Sequence, residues 1–224
     1  MPALVERRPL GPVPCIAVMP ASPAGAVVVV HGYGGCKEEM LGLAVRAAER
    51  NIAAYAIDLA GHGESARSMD GNLASDLEFA IGHARRHGAV AAIGHSLGGR
   101  LALVSSADFA VGISPALASS YGARTRAILG SARDSRVRQS TLEVVFATLA
   151  GLPPFQPRPD HPARLLYGAR DVPEIAAACR AWAERGVPTL EIEDARHSDI
   201  CVLERTFDDV STTLAVWFGR ERLR

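Results

Sequence analysis

The chain alternates short apolar runs with segments of helical periodicity, and this alternation constrains its fold more than any other feature. The run "AVVVV" at 26–30 is continuous and β-branched, which is typical of a strand buried on both faces. Further apolar runs of strand length occur at 52–58, 89–96, 109–116, 163–169 and 188–194. Helical patterns separate most of these runs, so the sequence predicts an α/β fold whose sheet is mostly parallel and covered by helices on both faces.

The N-terminal segment departs from this alternation. Two short segments, "ALVERRPL" and "PCIAVMPA", flank Gly11 and Pro12, and turn residues in that position predict a hairpin at the edge of the sheet. With 224 residues, of which 48% are hydrophobic, the chain is long enough for one substantial core but short for two. We therefore predict a single domain over residues 1–224.

Composition and charge argue against several classes of function. The formal net charge is zero and the sequence pI is about 7.1, so no basic surface for nucleic acid is expected. The four cysteines lack metal-binding spacings, and we expect neither a metal nor a cofactor. The N-terminus lacks the apolar core of a signal peptide, and no apolar run approaches the ~18 residues of a membrane span. These features favour a soluble protein with free thiols in the cytoplasm, and none of them fixes an oligomeric state.

The segment "GHSLGG" at 94–99 joins a predicted buried strand to a predicted helix. Glycine on both sides of Ser96 permits a sharp turn that side chains would obstruct. With a strand before it and a helix after it, the pattern G-x-S-x-G is typical of a nucleophile elbow. An ordinary loop with a helix-capping serine is the alternative. The context favours Ser96 as a nucleophile.

A serine nucleophile needs a base, and His197 is the histidine best placed to provide one. It follows the last predicted strand in "EIEDARHSD", at the sheet edge where Ser96 also emerges. Three other histidines lie in glycine-rich loops, where hydrogen bonds to the backbone are expected: His31, His62 and His95. Two more flank a pair of arginines in a predicted helical segment and are expected to face solvent: His83 and His87.

The base in turn needs a carboxylate that fixes its tautomer and stabilises its charged form. Asp171 follows a predicted strand and precedes a helix in "LLYGARDVPEI", where a capping role is also compatible with its position. A similar phrase, "RAILGSARD", ends at Asp134. If Asp134 followed the seventh strand, the eighth strand would have no histidine directly behind it. We therefore predict that Asp171 is the acid.

An acyl-transfer site also needs donors for the oxyanion that forms on the substrate. The N–H of Leu97, directly after the serine, is one candidate. The segment "HGYGG" at 31–35 follows the first long buried strand and can supply the second donor through the N–H of Tyr33. Glycines around Tyr33 keep side chains away from that approach.

These motifs, in the order "VVVVHGYGG", "AIDLAGHGES", "AAIGHSLGG", "LLYGARDVP" and "DARHS", resemble the α/β-hydrolase superfamily from about Val27 to the C-terminus. The resemblance implies an eight-stranded, mostly parallel sheet. It also implies a Ser96–His197–Asp171 triad that forms an acyl-enzyme on the serine before water attacks. Members of the superfamily often insert a cap after the sixth strand, and residues 117–162 leave room here for a small cap or lid.

The motifs and the resemblance together favour a serine hydrolase that cleaves small-molecule carboxylic esters or thioesters. An acyltransferase, a peptidase or a lyase could use the same triad, and a non-catalytic ligand receptor could use the same fold. The complete triad argues against the receptor.

One basic stretch adds a further hypothesis. It contains a single acid, Asp134, and five arginines: Arg124, Arg126, Arg133, Arg136 and Arg138. If part of this stretch rims the site, it would favour anionic substrates, and the alternative is a solvated helix face.

Overall fold

The structure, a computed structural model, describes residues 3–69, 72–127, 136–138 and 142–221. Within these residues, eight strands form one sheet in the order β1-β2-β4-β3-β5-β6-β7-β8. The strands are β1 (Leu4–Arg7), β2 (Cys15–Met19), β3 (Ala26–Val30), β4 (Ala53–Ile57), β5 (Val90–His95), β6 (Phe109–Ile113), β7 (Ala163–Arg170) and β8 (Thr189–Arg196). Strands β3 to β8 are parallel, and β1 and β2 are the antiparallel hairpin expected at the edge. The predicted fold class is confirmed.

Helices cover both faces of the sheet. The α-helices are α1 (Leu41–Glu49), α2 (Ala74–Ala84), α3 (Leu97–Val104), α4 (Leu142–Gly151), α5 (Pro173–Glu184) and α6 (Glu204–Glu221). Alternate residues of β3 point to opposite faces. Val27 and Val29 pack against α1 and α6, whereas Val28 and Val30 lie in the core formed with α2 and α3. Burial on both faces explains why the β3 sequence is apolar throughout.

Some connections between strands contain more than one helical segment. The connection from β3 to β4 begins with a 3₁₀ turn at Lys37–Met40 before α1 starts. Between β6 and β7, where the sequence left room for a small cap, residues 123–127 are helical and α4 follows. Among the described residues, no helix is both long and apolar enough to cross a membrane.

The parallel register brings the carboxyl ends of six strands, β3 to β8, to one edge of the sheet. Val30 of β3 pairs with Gly94 of β5, and Gly94 pairs with Gly112 of β6. The loops that follow these strands therefore start side by side, which is where ligand sites form in sheets of this type.

A buried ion pair joins two of these loops. The side chains of Lys37, after β3, and Asp58, after β4, are fully buried, and Lys37 Nζ lies 2.6 Å from Asp58 Oδ2. The Asp58 carboxylate also accepts hydrogen bonds from the backbone N–H groups of Lys37 (2.7 Å) and Glu64 (2.8 Å). Because both charges and the neighbouring N–H groups are satisfied together, the pair fixes the spacing of the two loops.

Removing one member of such a pair leaves a buried charge with fewer partners. We expect Asp58→Ala to lower the free energy of unfolding by about 3 kcal/mol, measured by urea denaturation. Glu49 is the matched control, because it pairs with Arg46 on the exposed face of α1. Glu49→Ala should change the free energy of unfolding by less than about 1 kcal/mol. Equal losses in the two variants would show that the buried pair does not stabilise the fold.

Candidate active site

Ser96 occupies a strained turn between β5 and α3. Its backbone angles are φ +53° and ψ −113°, a conformation that residues with a side chain rarely adopt. A Cβ at Gly94 would lie 2.1 Å from the carbonyl oxygen of Gly98, and a Cβ at Gly98 would lie 2.4 Å from that of His31. Only glycine fits at either position. The elbow geometry predicted from "GHSLGG" is therefore present, with Ser96 at its apex.

The three side chains predicted to work together form one chain of contacts. Ser96 Oγ lies 3.1 Å from His197 Nε2, and His197 Nδ1 lies 2.8 Å from Asp171 Oδ1. The carboxylate accepts a hydrogen bond from Nδ1–H, which leaves Nε2 unprotonated and able to accept a hydrogen bond from the Ser96 hydroxyl. The side chain of His197 is 21% exposed, whereas that of Asp171 is fully buried. Asp134, the other acid considered, lies outside the described residues.

Asp171 is held as a carboxylate by its hydrogen bonds. Burial alone would raise its pKa, but the hydrogen bond and charge of His197, together with donors from Ser114 and Val172, outweigh burial and hold the pKa of Asp171 below its usual value. The Val172 N–H donates to Oδ1 at 2.7 Å, and the Ser114 hydroxyl donates to Oδ2. The carboxylate is thus fully satisfied before any substrate binds.

Ser114 is a part of this site that the sequence analysis missed. It is buried, directly follows β6, and has a positive φ of +46°. In "GISPA" it matches no catalytic motif. The signal that could have found it is its position, since a polar residue at the end of β6 must lie beside the loops after β5 and β7.

His95 ties the nucleophile to the base in a second way. Its Nε2 lies 2.9 Å from the backbone carbonyl oxygen of His197, and the two rings are 4.7 Å apart. The residue before Ser96 therefore holds the loop that carries His197, as the predicted backbone-bonding role of His95 requires.

The two candidate oxyanion donors flank Ser96. Leu97 is the first residue of α3, so its N–H has no acceptor within the helix. The loop after β3 lies against the serine, because a Cβ at Gly32 would be 3.1 Å from Ser96 Cβ. Tyr33 follows in that loop, and Tyr33 and Leu97 both line the pocket at Ser96.

His31 fixes the position of this loop. The ring is fully buried, Nδ1 lies 2.7 Å from the Gly32 carbonyl oxygen, and the Leu59 N–H donates to Nε2 at 3.2 Å. Nε2 must therefore be unprotonated, with the proton on Nδ1. Burial lowers the pKa of His31 to about 4, which keeps the ring neutral at physiological pH. His62 also bonds to the backbone as expected, through Nδ1 and the Ala60 carbonyl.

The pocket beside Ser96 is narrow and mostly apolar. Its volume is about 30 Å³, which is room for roughly two water molecules. Its walls come from the oxyanion loop, the start of α3, the segment after β6, α4, and α5 with its preceding loop. Besides Ser96 and His197, they include Tyr33, Leu97, Tyr121, Val145, Phe146, Leu149, Val172 and Ile175.

Other predicted features lie away from the reacting atoms. His83 and His87 do not simply face solvent, because both are partly buried against Tyr55, whose hydroxyl lies 2.8 Å from His87 Nε2. Of the arginine-rich stretch, Arg136 and Arg138 bond to carbonyl groups of the loops after β3 and β4. Arg133 lies outside the described residues.

The fold and the arrangement at Ser96 define a class of protein. A sequence model described as "Alpha/beta hydrolase family" matches residues 27–212. The chain belongs to this family. A comparison with the curated proteins finds no match.

Solved structures share the fold at low identity. Est1E from Butyrivibrio proteoclasticus, solved with ferulic acid, has a TM-score of 0.69 at 16% identity, over 95% of this chain and 96% of that one. Dienelactone hydrolase from Anabaena variabilis has a TM-score of 0.65 at 18% identity, over 98% of this chain and 99% of that one. A monoacylglycerol lipase from Paleococcus ferrophilus has a TM-score of 0.64 at 19% identity, over 97% of this chain and 98% of that one. At these identities the likeness establishes the fold alone.

The buried neutral ring of His31 makes stability depend on pH. The unfolded histidine takes up its proton near pH 6.5, whereas the folded pKa is about 4, so between these values the unfolded chain binds more protons. The free energy of unfolding therefore falls as the pH drops through this window. We expect this loss to be smaller in His31→Gln than in the wild type, measured by urea denaturation at each pH. Equal losses would show that His31 does not carry this dependence.

Proposed function

We propose that the protein is a serine hydrolase that cleaves esters of small carboxylic acids, or their thioesters, through an acyl-enzyme on Ser96. The observation that carries this proposal is the continuous contact of Ser96 Oγ, His197 and Asp171 at a strained elbow. A buried, fully hydrogen-bonded carboxylate behind a histidine is the arrangement that activates a serine hydroxyl.

In the proposed first step, Ser96 Oγ attacks the ester carbonyl carbon while His197 Nε2 takes the hydroxyl proton. Asp171 stabilises the imidazolium that forms and holds its tautomer. The N–H groups of Tyr33 and Leu97 donate to the oxyanion of the tetrahedral intermediate. His197 then gives its proton to the leaving oxygen as the bond to the alcohol breaks, and the acyl group stays on Ser96.

In the second step, water attacks the acyl-enzyme. His197 takes a proton from the water, and the N–H groups of Tyr33 and Leu97 stabilise the second tetrahedral intermediate. When this intermediate collapses, His197 returns the proton to Ser96 Oγ. The acid leaves and the serine is restored. Because the pocket at Ser96 has a volume of only about 30 Å³, we propose that the group bound next to the serine is small.

Names given to structures with this fold agree with the proposal. One is an esterase and another a monoacylglycerol lipase, and both names describe ester hydrolysis. Since identity to them is below 25%, they support the class of reaction and not a substrate.

The nucleophile can be tested by covalent labelling and turnover. A fluorophosphonate probe should label the wild type on Ser96 and leave Ser96→Ala unlabelled. Turnover of p-nitrophenyl acetate should fall roughly 10⁴- to 10⁶-fold in Ser96→Ala, as in enzymes that lose a triad nucleophile. Ser198→Ala, next to the proposed base, is the control for labelling of a nearby hydroxyl. This variant should be labelled like the wild type. Labelling that persists in Ser96→Ala, or turnover within tenfold of the wild type, would remove Ser96 from the mechanism.

The assignment of the acid is tested by two substitutions of the same kind. Asp171→Asn should lower kcat by roughly 10⁴-fold, because the amide cannot stabilise the imidazolium and favours the wrong tautomer. Asp134→Asn, in the look-alike phrase "RAILGSARD", should change kcat less than tenfold. Steady-state kinetics with one p-nitrophenyl ester compares the two. The reverse pattern would assign the acid to Asp134.

A further inference from the structure

A second, larger cavity adjoins the pocket at Ser96. Its volume is about 600 Å³, and it shares four wall residues with the smaller pocket: Ala116, Tyr121, Phe146 and Leu149. The shared walls make the two spaces neighbours, so a ligand bound at Ser96 can extend from one towards the other. Unlike the smaller pocket, the larger cavity is lined by two arginines, Arg100 and Arg126.

Arg100 is a buried cation that faces this cavity. It lies one turn of α3 beyond the nucleophile, and its backbone N–H donates to the Ser96 carbonyl at 3.0 Å. The residue is 8% exposed. Its guanidinium donates to the Pro153 carbonyl, and no carboxylate among the described residues lies within ion-pair distance. Burial lowers the pKa of Arg100, with a partly opposing effect from Tyr121, but an arginine remains protonated in proteins.

A guanidinium has five N–H donors, and a carbonyl oxygen supplies no negative charge to balance it. Burying a charge without a counter-charge is costly, and pairing with a carboxylate in a bidentate geometry offsets that cost. The other buried charges near this edge of the sheet, such as Lys37 and Asp171, have charged partners or several donors. Among the described residues, the guanidinium of Arg100 has a neutral carbonyl as its partner and no counter-charge.

Tyr121 adds a second polar group between the two spaces. Its hydroxyl is buried next to the Ala118 backbone and makes no hydrogen bond of ordinary geometry with the described residues. Burial raises the pKa of Tyr121, so the hydroxyl stays protonated and can donate. A buried donor without a good acceptor points to a ligand that supplies one.

The nearby acid does not fill this role. Glu174 accepts hydrogen bonds from the Gly122 N–H at 2.8 Å and from the Thr125 hydroxyl at 3.1 Å, outside the lining of the cavity. Arg126, at the rim, stacks over Phe146 at 3.9 Å and donates to the Tyr121 carbonyl. Among the described residues that line the cavity, the charged ones are Arg100 and Arg126, so this lining is electropositive and Arg100 is its buried charge.

We propose that this cavity is a carboxylate subsite in which Arg100 pairs with a carboxylate of the substrate and Tyr121 donates to it. The inference rests on the proposed function, since it names the substrate class of the same site. The preferred substrates are then esters that carry a free carboxylate a few bonds from the scissile carbonyl, such as monoesters of short dicarboxylic acids.

The first test compares two substrates with the same acyl chain. These are the p-nitrophenyl monoester of glutaric acid, which carries a free carboxylate, and its methyl ester, which does not. The ratio of their kcat/KM values reports selectivity for the charge, because general damage to the site lowers both values. We expect the ratio to favour the acid in the wild type and to fall ten- to a hundredfold in Arg100→Gln, the effect of losing a charge-assisted hydrogen bond.

Three further variants separate the possible causes. Arg85→Gln removes the same charge from an exposed site that pairs with Asp108, and it should leave the ratio unchanged. Arg100→Lys keeps the charge without the bidentate geometry and should give an intermediate ratio. Tyr121→Phe removes only a hydroxyl without a good partner, so it should fold normally and lower the ratio severalfold. A ratio that neither Arg100→Gln nor Tyr121→Phe lowers would overturn the subsite, while hydrolysis of the methyl ester and labelling of Ser96 would leave the proposed function standing.

Binding tests the subsite without catalysis. Glutarate should bind to Ser96→Ala protein in a calorimetric titration, and the added Arg100→Gln substitution should weaken its Kd at least tenfold. This result would support the subsite even if the wild type hydrolysed neither ester, an outcome that would reject the proposed function alone. Glutarate that binds equally well with and without Arg100, or does not bind at all, would overturn the subsite.

Discussion

The site depends on a contact between backbones that leaves no space for side chains. At Gly98 the first turn of α3 approaches the carbonyl of His31, and at Gly94 the end of β5 approaches α3. These approaches bring the loop after β3 against the elbow, so that Ser96 and the candidate donors of the oxyanion loop share one pocket. A Cβ at either glycine would collide with a backbone carbonyl and push α3 away from β5 or from the loop after β3. The strained angles of Ser96 persist because packing on both sides determines them.

The sequence predicts those structural features that are determined by a few neighbouring residues. A continuous apolar run such as β3 signals burial on both faces, and the glycines around Ser96 signal a close backbone approach. The pairing of Ser96, His197 and Asp171 followed from the order of strands and motifs, and the structure places the three in contact. Their catalytic roles remain a proposal.

Features that depend on tertiary packing were not readable. Ser114 has no motif around it, and only its position in the sheet brings its hydroxyl to Asp171. His87 looks solvent-facing beside two arginines, yet Tyr55 reaches it from β4. No sequence motif marks Arg100, and its guanidinium donates to the carbonyl of Pro153, far along the chain. In each case the deciding partner is distant in sequence, where neither periodicity nor propensity carries information.

The bond from His95 to the His197 carbonyl also affects how the site opens. Because His95 belongs to the end of β5 and His197 to the loop after β8, this bond links two segments about a hundred residues apart without passing through Asp171. Local opening of the loop after β8 must break this bond as well as the contact between His197 and Asp171. Displacing His197 from Ser96 therefore costs more than the contact with Asp171 alone, and the end of β5 itself helps to hold the base beside the nucleophile.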